Sequence, residues 1–299
     1  MTASNPPSGG PPIIFDSVRR AARLARSFAR FADADFLHRR AAENAVASLE
    51  ATLRDFPVAV DLSAHPAPFS EMLAGSSAAQ RVGSPRPLAG GAAPGAAPLP
   101  LADGSADLVV SLMTLHWAND LPGALAQVRR ALKPDGLFLG TLLGAGTLKE
   151  LRAVLTEAEL EERGGVQARV SPFADGYDGA ALLQRAGFAL PVSDVDRLTV
   201  TYCDLSALIR DLRGMGETNV LAGPIRPLNR AILLRAAGLY AERFGDADGR
   251  IPATFEIVNL AGWAPHESQP KPLARGSAKT RLADALGVVE HKPATRTAR

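Results

Sequence analysis

Apolar side chains recur at helical spacing in the first sixth of the chain. One run extends from Phe15 to Phe28 and a second from Asp35 to Arg54, each with apolar residues at steps of three and four. Pro57 ends the second run, because proline cannot continue a helix. The pattern predicts an N-terminal helical extension over residues 13–56.

Three short apolar bursts follow, and each is typical of a buried parallel strand. They are Val58–Leu62, Asp107–Met113 and Leu137–Leu142. The first burst contains Asp61 near its end, so we expect this carboxylate at the carboxyl edge of a sheet.

Helical patterns separate and follow these strands. Asp120 is predicted to cap a helix that continues to Leu132, and Lys133–Gly136 then turns the chain. Thr147–Glu150 has the pattern of a capping box at the start of the next helix. Strands and helices that alternate in steps of this size predict right-handed crossovers and a parallel sheet covered on both faces.

The second half of the chain has a looser pattern. A short helix is predicted over Asp178–Ala186, and strands over Arg197–Tyr202 and Ile251–Trp263. Between those two strands lies a helix-rich insertion at about 205–245. The segment Pro85–Pro100 is rich in Gly, Ala and Pro and predicts a long loop.

Composition suits one α/β domain with appendages. The chain has 299 residues, 46% of them hydrophobic, with a formal net charge of +2. We expect a disordered leader at 1–12, a main domain at 57–265 and a basic tail at 266–299. The basic ends leave two interpretations open, an acidic partner or solvated faces. Nucleic-acid binding is not expected, because no aromatic residues are spaced through the tail for stacking.

Several classes of site and location are not expected. Cys203 is the only cysteine, so no intrachain disulfide is possible, which is typical of a reducing compartment. The first residues have no apolar signal region, and no stretch is apolar for long enough to span a membrane. The predicted location is cytoplasmic. The five histidines lack metal-ligand spacing, so no metal site is predicted.

Four motifs resemble those of the class I S-adenosylmethionine (SAM) methyltransferases. The nearest likeness is to the complex I assembly factor 5 family, relatives of the malonyl-carrier-protein methyltransferase of biotin synthesis. The residues that carry it are Leu115–Pro122, Leu132–Gly136, Asp211–Asn219 and Gly262–Gln269.

This resemblance implies a Rossmann-like α/β fold with a mostly parallel, seven-stranded sheet that ends in an antiparallel hairpin. It also implies SAM as the cofactor at the carboxyl edge. In the mitochondrial members, a subunit of respiratory complex I is modified by arginine hydroxylation during assembly. A protein client such as a respiratory-chain subunit is therefore the expected partner.

The cofactor loop departs from the family pattern. By resemblance, SAM contacts are assigned to Asp61, Ser63, His65, Met113 and Thr114. The loop after the first strand, however, has lost the glycines that let the backbone approach a cofactor.

The usual acidic anchors for the ribose and adenine are also missing. Arg81–Pro85 and Gly90–Pro100 contain no acidic residue where the family places them. Leaving the polar groups of adenosine unpaired costs about 1–3 kcal/mol each. The sequence therefore predicts weak SAM binding or none.

The substrate side keeps more of the pattern. His116 is the candidate general base beside Trp117, and the alternative is a hydrogen-bonded core histidine with a packed tryptophan. The candidate substrate or partner residues are Gly214, Gly216, Glu217, Asn219, His266 and Gln269.

Two hypotheses follow. The chain is either a SAM-dependent transferase or hydroxylase acting on a protein, or a pseudoenzyme that keeps the fold as an assembly protein.

Overall fold

The computed structural model describes residues 13–88, 98–173 and 178–270, together with 277, 284–285 and 287. The chain divides into two units, Met1–Pro265 and His266–Arg299. The predicted leader, most of the predicted loop at 85–100 and most of the predicted tail lie outside the described residues. Within the described residues, no helix is both long enough and apolar enough to cross a membrane.

Eight α-helices and six strands form the first unit in its described part. The helices are α1 Ser17–Ser27, α2 Phe36–Glu50, α3 Ala67–Ala74, α4 Leu121–Ala131, α5 Lys149–Arg163, α6 Gly179–Arg185, α7 Leu205–Met215 and α8 Arg230–Phe244. The strands are β1 Ala59–Asp61, β2 Arg86–Pro87, β3 Ala106–Ser111, β4 Leu132–Leu143, β5 Ala189–Tyr202 and β6 Ile251–Trp263. Short 3₁₀ turns cover Phe28–Asp33 and Leu115–Trp117.

The strands form one mixed sheet in the order β2-β1-β3-β4-β6-β5. The first four strands are parallel, with Val60 opposite Val109 in the β1–β3 pair. β6 is antiparallel to both β4 and β5. Buried apolar side chains pack on both faces of the sheet. The α/β fold with an antiparallel end is therefore confirmed.

The sheet is smaller than the resemblance implies. Six strands lie in the described residues where seven are expected, and β2 is an exposed pair of residues at the sheet edge. Between Asp61 and Ala106 the described chain supplies only this one short strand, because the Gly, Ala and Pro of this region provide little to bury. This part of the chain also contains α3, which the pattern did not predict.

Several predictions that rest on local sequence signals agree with the structure. The Asp120 carboxylate accepts a hydrogen bond from the Gly123 N–H at 2.8 Å, which confirms it as the α4 cap. Gly187 follows α6 with φ of +88°, as a residue after a helix end often has. α7 and α8 confirm the helical character of the insertion at 205–245.

The capping box at Thr147–Glu150 is wrong. Leu148, with φ of +54°, precedes α5, and no side chain caps this helix. Thr147 and Glu150 instead bond to β6: Thr147 Oγ1 accepts from the Glu256 N–H at 3.1 Å, and Glu150 accepts from the Thr254 N–H at 3.1 Å. The turn predicted at Lys133–Gly136 is also absorbed into β4 as an irregular part of its pairing with β3.

Candidate functional site

Four segments meet at the carboxyl edge of the parallel strands. The loop after β1 and the turn after β3 emerge there side by side, because parallel strands end at one edge. Buried contacts connect this edge to α1 and to the residues that follow α7. The resulting site contains His116, Trp117, Glu217 and Arg20.

A buried hydrogen bond joins His116 to Glu217. His116 Nε2 lies 2.8 Å from Glu217 Oε2, and neither side chain is more than 2% exposed. The Leu143 N–H donates to His116 Nδ1 at 3.4 Å. Nδ1 is therefore the acceptor of the ring, and Nε2 carries the proton that is donated to Glu217.

Trp117 and Arg20 complete the contacts of Glu217. The indole Nε1–H of Trp117 donates to Glu217 Oε2 at 3.1 Å, and Arg20 Nη2 lies 3.5 Å from Oε1. Arg20 also donates to the Gly216 carbonyl at 2.9 Å, and its guanidinium lies 5.0 Å from the Trp117 ring centroid. One carboxylate thus accepts from, or is paired with, three different side chains.

The environment keeps Glu217 ionised. Burial alone raises the pKa of this carboxyl, but His116 and Arg20 more than offset that effect and lower the pKa to about 2. Arg20 was missed by the sequence reading. A signal for it exists, because Arg20 shares the buried face of α1 with Leu24 and Ser27, where a charged residue is unexpected.

Residues Ile14 and Phe15 of the extension lie beside Trp117 and Asn119. Asn119 Oδ1 accepts from the N–H groups of Ile14 and Phe15 at 2.8 and 2.7 Å, and its amide donates to the Phe15 carbonyl. The Phe15 ring meets Trp117 edge to face at 5.3 Å. Asn119 therefore holds the start of the described extension in place.

The loop after β1 bonds to its own surroundings. The Ser63 N–H donates to Asp61 Oδ1 at 2.8 Å, and the Ala64 N–H donates to Thr114 Oγ1 at 3.2 Å. The Met113 N–H donates to the Thr141 carbonyl and lies 3.0 Å from Thr141 Oγ1. Asp61 Oδ2 has no partner among the described residues, and burial raises the pKa of this carboxyl to about 6.

His65 fills the place where the family pattern has a glycine. Its ring stacks on Phe31 at 3.6 Å with an 8° interplanar angle, and lies 4.7 Å from the Phe28 ring. Its Nε2 is 3.4 Å from Ser27 Oγ. The side chain is buried, and burial followed by the nearby Arg20 charge lowers the pKa of His65 to about 4.

The residues present do not fit SAM at this edge. The Ser63 and Ala64 N–H groups of the loop donate within the protein, and the His65 ring is stacked on Phe31, so of the polar groups described above only Asp61 Oδ2 lacks a partner among the described residues. No acidic residue lies at the end of β2 within the described segment 86–88. Ser63 and His65 make internal hydrogen bonds and packing contacts here, and their assignment as cofactor contacts stays a prediction.

The two glycines before Glu217 are packing positions. A β-carbon at Gly214 would lie 2.8 Å from the Ala34 Cβ, and one at Gly216 would lie 3.0 Å from Ser27 Oγ. Gly216 also has φ of +77°, which favours glycine. Both are buried against the N-terminal extension, where they allow close packing, and their partner role stays a prediction.

The remaining partner candidates separate into two places. The Asn219 amide donates to the Ala168 and Arg169 carbonyls at 2.9 and 3.0 Å, so it fixes the loop before Phe173. His266 and Gln269 belong to the second unit, where His266 Nδ1 is 2.7 Å from Ser268 Oγ. His266 is exposed. A partner role for these two residues stays a prediction.

A cavity of about 440 Å³ adjoins the buried cluster. Trp117 and Glu217 lie in its lining, together with side chains of α5 and α7 and of segments 169–173 and 225–228. His116 is not among the lining residues, and both of its ring nitrogens bond within the fold. The structure therefore favours Glu217 over His116 as the group that faces a ligand. The role of His116 as a base stays a prediction.

Comparison with known proteins gives consistent matches. Residues 58–140 match the model of a methyltransferase domain. Arginine-hydroxylase NDUFAF5, mitochondrial, of Danio rerio is 46% identical over 186 residues, which cover 62% of this chain and 58% of that protein. Malonyl-[acyl-carrier protein] O-methyltransferase of Methylovorus sp. (strain MP688) is 37% identical over 195 residues, which cover 65% of this chain and 60% of the relative.

Among solved structures, the chain is similar to the YcgJ protein from Bacillus, with 17% identity and a TM-score of 0.45. The match covers 75% of this chain and 99% of that protein. The chain spans somewhat less than two thirds of the length of the two curated relatives described above, so what those proteins act on is a property of those proteins. The methyltransferase domain at residues 58–140 and these curated relatives make the chain similar to the methyltransferases.

Proposed function

We propose that the chain is a methyltransferase-like assembly protein that binds a polypeptide client of respiratory complex I and does not transfer a methyl group from SAM. The assembly role is supported by the relatives named arginine-hydroxylase NDUFAF5, which are 46% identical in Danio rerio and in Homo sapiens. The lack of SAM use is supported by the closed loop after β1.

The His65 ring is the observation that carries this proposal. To admit a cofactor, the loop must break the 3.6 Å stack of His65 on Phe31 and release the Ala64 N–H from Thr114. A released N–H that finds no new acceptor costs about 1–3 kcal/mol. These costs add to the missing acidic anchor after β2, so binding of SAM is disfavoured on both counts.

A second candidate function is a SAM-dependent modification of a protein. The observation that favours it is the ionised Glu217 carboxylate, which lines the cavity and is held by His116, Trp117 and Arg20. A positioned carboxylate beside a cavity is an arrangement that catalytic sites use. It supports this candidate only if the cofactor edge opens.

Isothermal titration of the full chain with SAM and with S-adenosylhomocysteine separates the two candidates. We expect no heat of binding up to about 1 mM ligand, a concentration that corresponds to a binding free energy of about −4 kcal/mol. A purified malonyl-[acyl-carrier protein] O-methyltransferase serves as the positive control. A micromolar Kd for either ligand contradicts the proposal and favours the enzyme.

The assembly role has its own test. Deleting the gene in the organism that carries the chain is expected to lower the amount of assembled complex I on native gels. Re-expression of the wild-type chain restores it. If complex I assembles normally in the deletion strain, the assembly role is refuted whatever the titration with SAM shows.

A further inference from the structure

The cavity beside Trp117 has largely apolar walls. Leu148, which precedes α5, Leu155 of α5, Leu212 of α7, Phe173 and Leu228 line it. Its volume of about 440 Å³ lies in the range of small-molecule sites, roughly 300–1,000 Å³. The walls therefore suit an aliphatic group of moderate size.

Its lining also holds an excess of positive charge. Arg23, Arg213 and Arg226 line the cavity, and none of the three guanidinium groups has a carboxylate partner among the described residues. Arg23 Nε is buried and makes no hydrogen bond in that part of the chain. Burial, followed by repulsion from Arg26, Arg213 and Arg19, lowers the pKa of Arg23.

The other charged groups of the lining are already paired. Arg169 binds the Glu159 carboxylate, and Glu217 is held by Arg20 and His116. Of the three unpaired arginines, Arg23 is half-buried and Arg213 and Arg226 are exposed, and together they give the lining a net positive charge. Walls of low dielectric strengthen the field of this charge, so an anion is attracted and a cation is repelled.

We propose that this cavity binds a small amphipathic anion, with its aliphatic chain against the leucines and its carboxylate or phosphate between Arg23 and Arg213. Guanidinium groups pair well with either anion, because their planar fork donates two parallel hydrogen bonds. An arginine side chain, the group named for the NDUFAF5 relatives, carries the wrong charge for this cavity. The inference goes beyond the assembly role and does not depend on it, because it concerns the chain without a client.

Four ten-carbon probes test the proposal on the full chain: decanoate, decyl phosphate, decanol and decylammonium, each below its micellar range. Isothermal titration gives the Kd, and the fluorescence of Trp117 in the lining reports occupancy. We expect decanoate or decyl phosphate to bind at least about tenfold more tightly than decanol, and decylammonium to bind most weakly. The two anions distinguish a carboxylate site from a phosphate site.

Matched variants locate the site. Arg23→Gln combined with Arg213→Gln is expected to weaken binding of the preferred anion by roughly 10- to 100-fold and to leave decanol unchanged. Arg26→Gln is the control, because Arg26 is an exposed residue of the same helix and does not line the cavity. Circular dichroism verifies that each variant is folded.

Four results overturn the inference. The first three are equal binding of decanol and both anions, tighter binding of decylammonium than of either anion, and no saturable binding of any probe. An anion affinity that Arg26→Gln reduces as much as the double variant does also overturns it, since binding then follows general charge rather than the cavity.

Discussion

Replacing Glu217 with glutamine is expected to destabilise the fold by about 3 kcal/mol. The change keeps the size of the side chain and removes the negative charge that faces Arg20. Arg20, with a side chain only 9% exposed, then keeps a hydrogen bond to the Gly216 carbonyl but has no carboxylate beside it. Removing one partner of a buried ion pair costs about 3–5 kcal/mol.

The lowered pKa of Glu217 leads to a similar free-energy cost for its replacement. The folded protein lowers this pKa from its ordinary value of 4.5 to about 2. Each pKa unit corresponds to about 1.4 kcal/mol of differential stability, so the ionised carboxylate contributes about 3 kcal/mol. The geometry also favours a cost of about 3 kcal/mol, the low end of the range for removing one partner of a buried ion pair. The Arg20–Glu217 separation of 3.5 Å is long for a charge-assisted hydrogen bond.

The same shift predicts how this contribution depends on pH. Because the folded pKa of Glu217 is depressed, its stabilisation is fully present above about pH 4.5 and is lost as the pH falls through about 2. Glutamine does not titrate. The difference in stability between wild type and Glu217→Gln is therefore expected to be largest near pH 7 and to shrink between pH 4.5 and pH 3.

Urea unfolding followed by circular dichroism at pH 7, 5, 4 and 3 measures this difference. Glu161→Gln is the control, because Glu161 and Arg235 form an ion pair in which both side chains are 41% exposed. Exposed pairs contribute less than about 1 kcal/mol. The reasoning is refuted if Glu217→Gln costs no more than Glu161→Gln at pH 7, or if its cost stays constant down to pH 3.

Three further predictions concern Gly216, Gly238 and His65. Gly216→Ala is expected to destabilise by about 1–2 kcal/mol, since φ of +77° strains any side chain and the new Cβ would lie 3.0 Å from Ser27 Oγ. Gly238→Ala, inside α8 with open space around it, is expected to stabilise by about 0.5–1 kcal/mol, and thermal unfolding compares the two signs. Because the pKa of His65 is depressed, its contribution to the free energy of unfolding is expected to be present above pH 6.5 and to be lost as the pH falls through about 4. His65→Gln should flatten that slope in urea titrations while His266→Gln does not, and equal slopes in all three proteins contradict the buried state of His65.

The sequence was sufficient for elements whose signals are local. β6 has the predicted bounds Ile251–Trp263, and α4 begins after the predicted Asp120 cap. The capping-box prediction at Thr147–Glu150 was wrong because the hydrogen-bond partners of these side chains lie in β6, more than 100 residues further along the chain. α3 was missed because its short apolar run, behind a proline, shows too little period to identify a helix.

The candidate site was predictable only in part. His116, Trp117 and Glu217 stand in motifs that the resemblance made visible, and the structure brings all three together. Arg20 completes the cluster and donates a hydrogen bond to the Gly216 carbonyl. The two residues are 196 positions apart in the sequence, and no motif connects positions so far apart. The sequence also showed that the loop glycines were missing, but only the structure shows that Phe31 and Ser27 contact the side chain that replaced one of them.

The two sides of the site therefore differ in what they can still do. At the loop, the Ala64 N–H bonds to Thr114, the Ser63 hydroxyl accepts from the Leu112 N–H at 2.9 Å and the His65 ring is stacked, so these groups are paired without a ligand. Asp61 Oδ2, at the end of β1, has no partner among the described residues. At the cavity, three arginines lack a counter-charge among the described residues, so that side gains from a bound anion. Most polar groups of the loop are thus paired at the cofactor edge, while the cavity carries unpaired positive charge, and this difference supports the proposed binding role over methyl transfer. A ligand that stabilises the protein should consequently act through Arg23 and Arg213, and not through Asp61 and the loop that follows it.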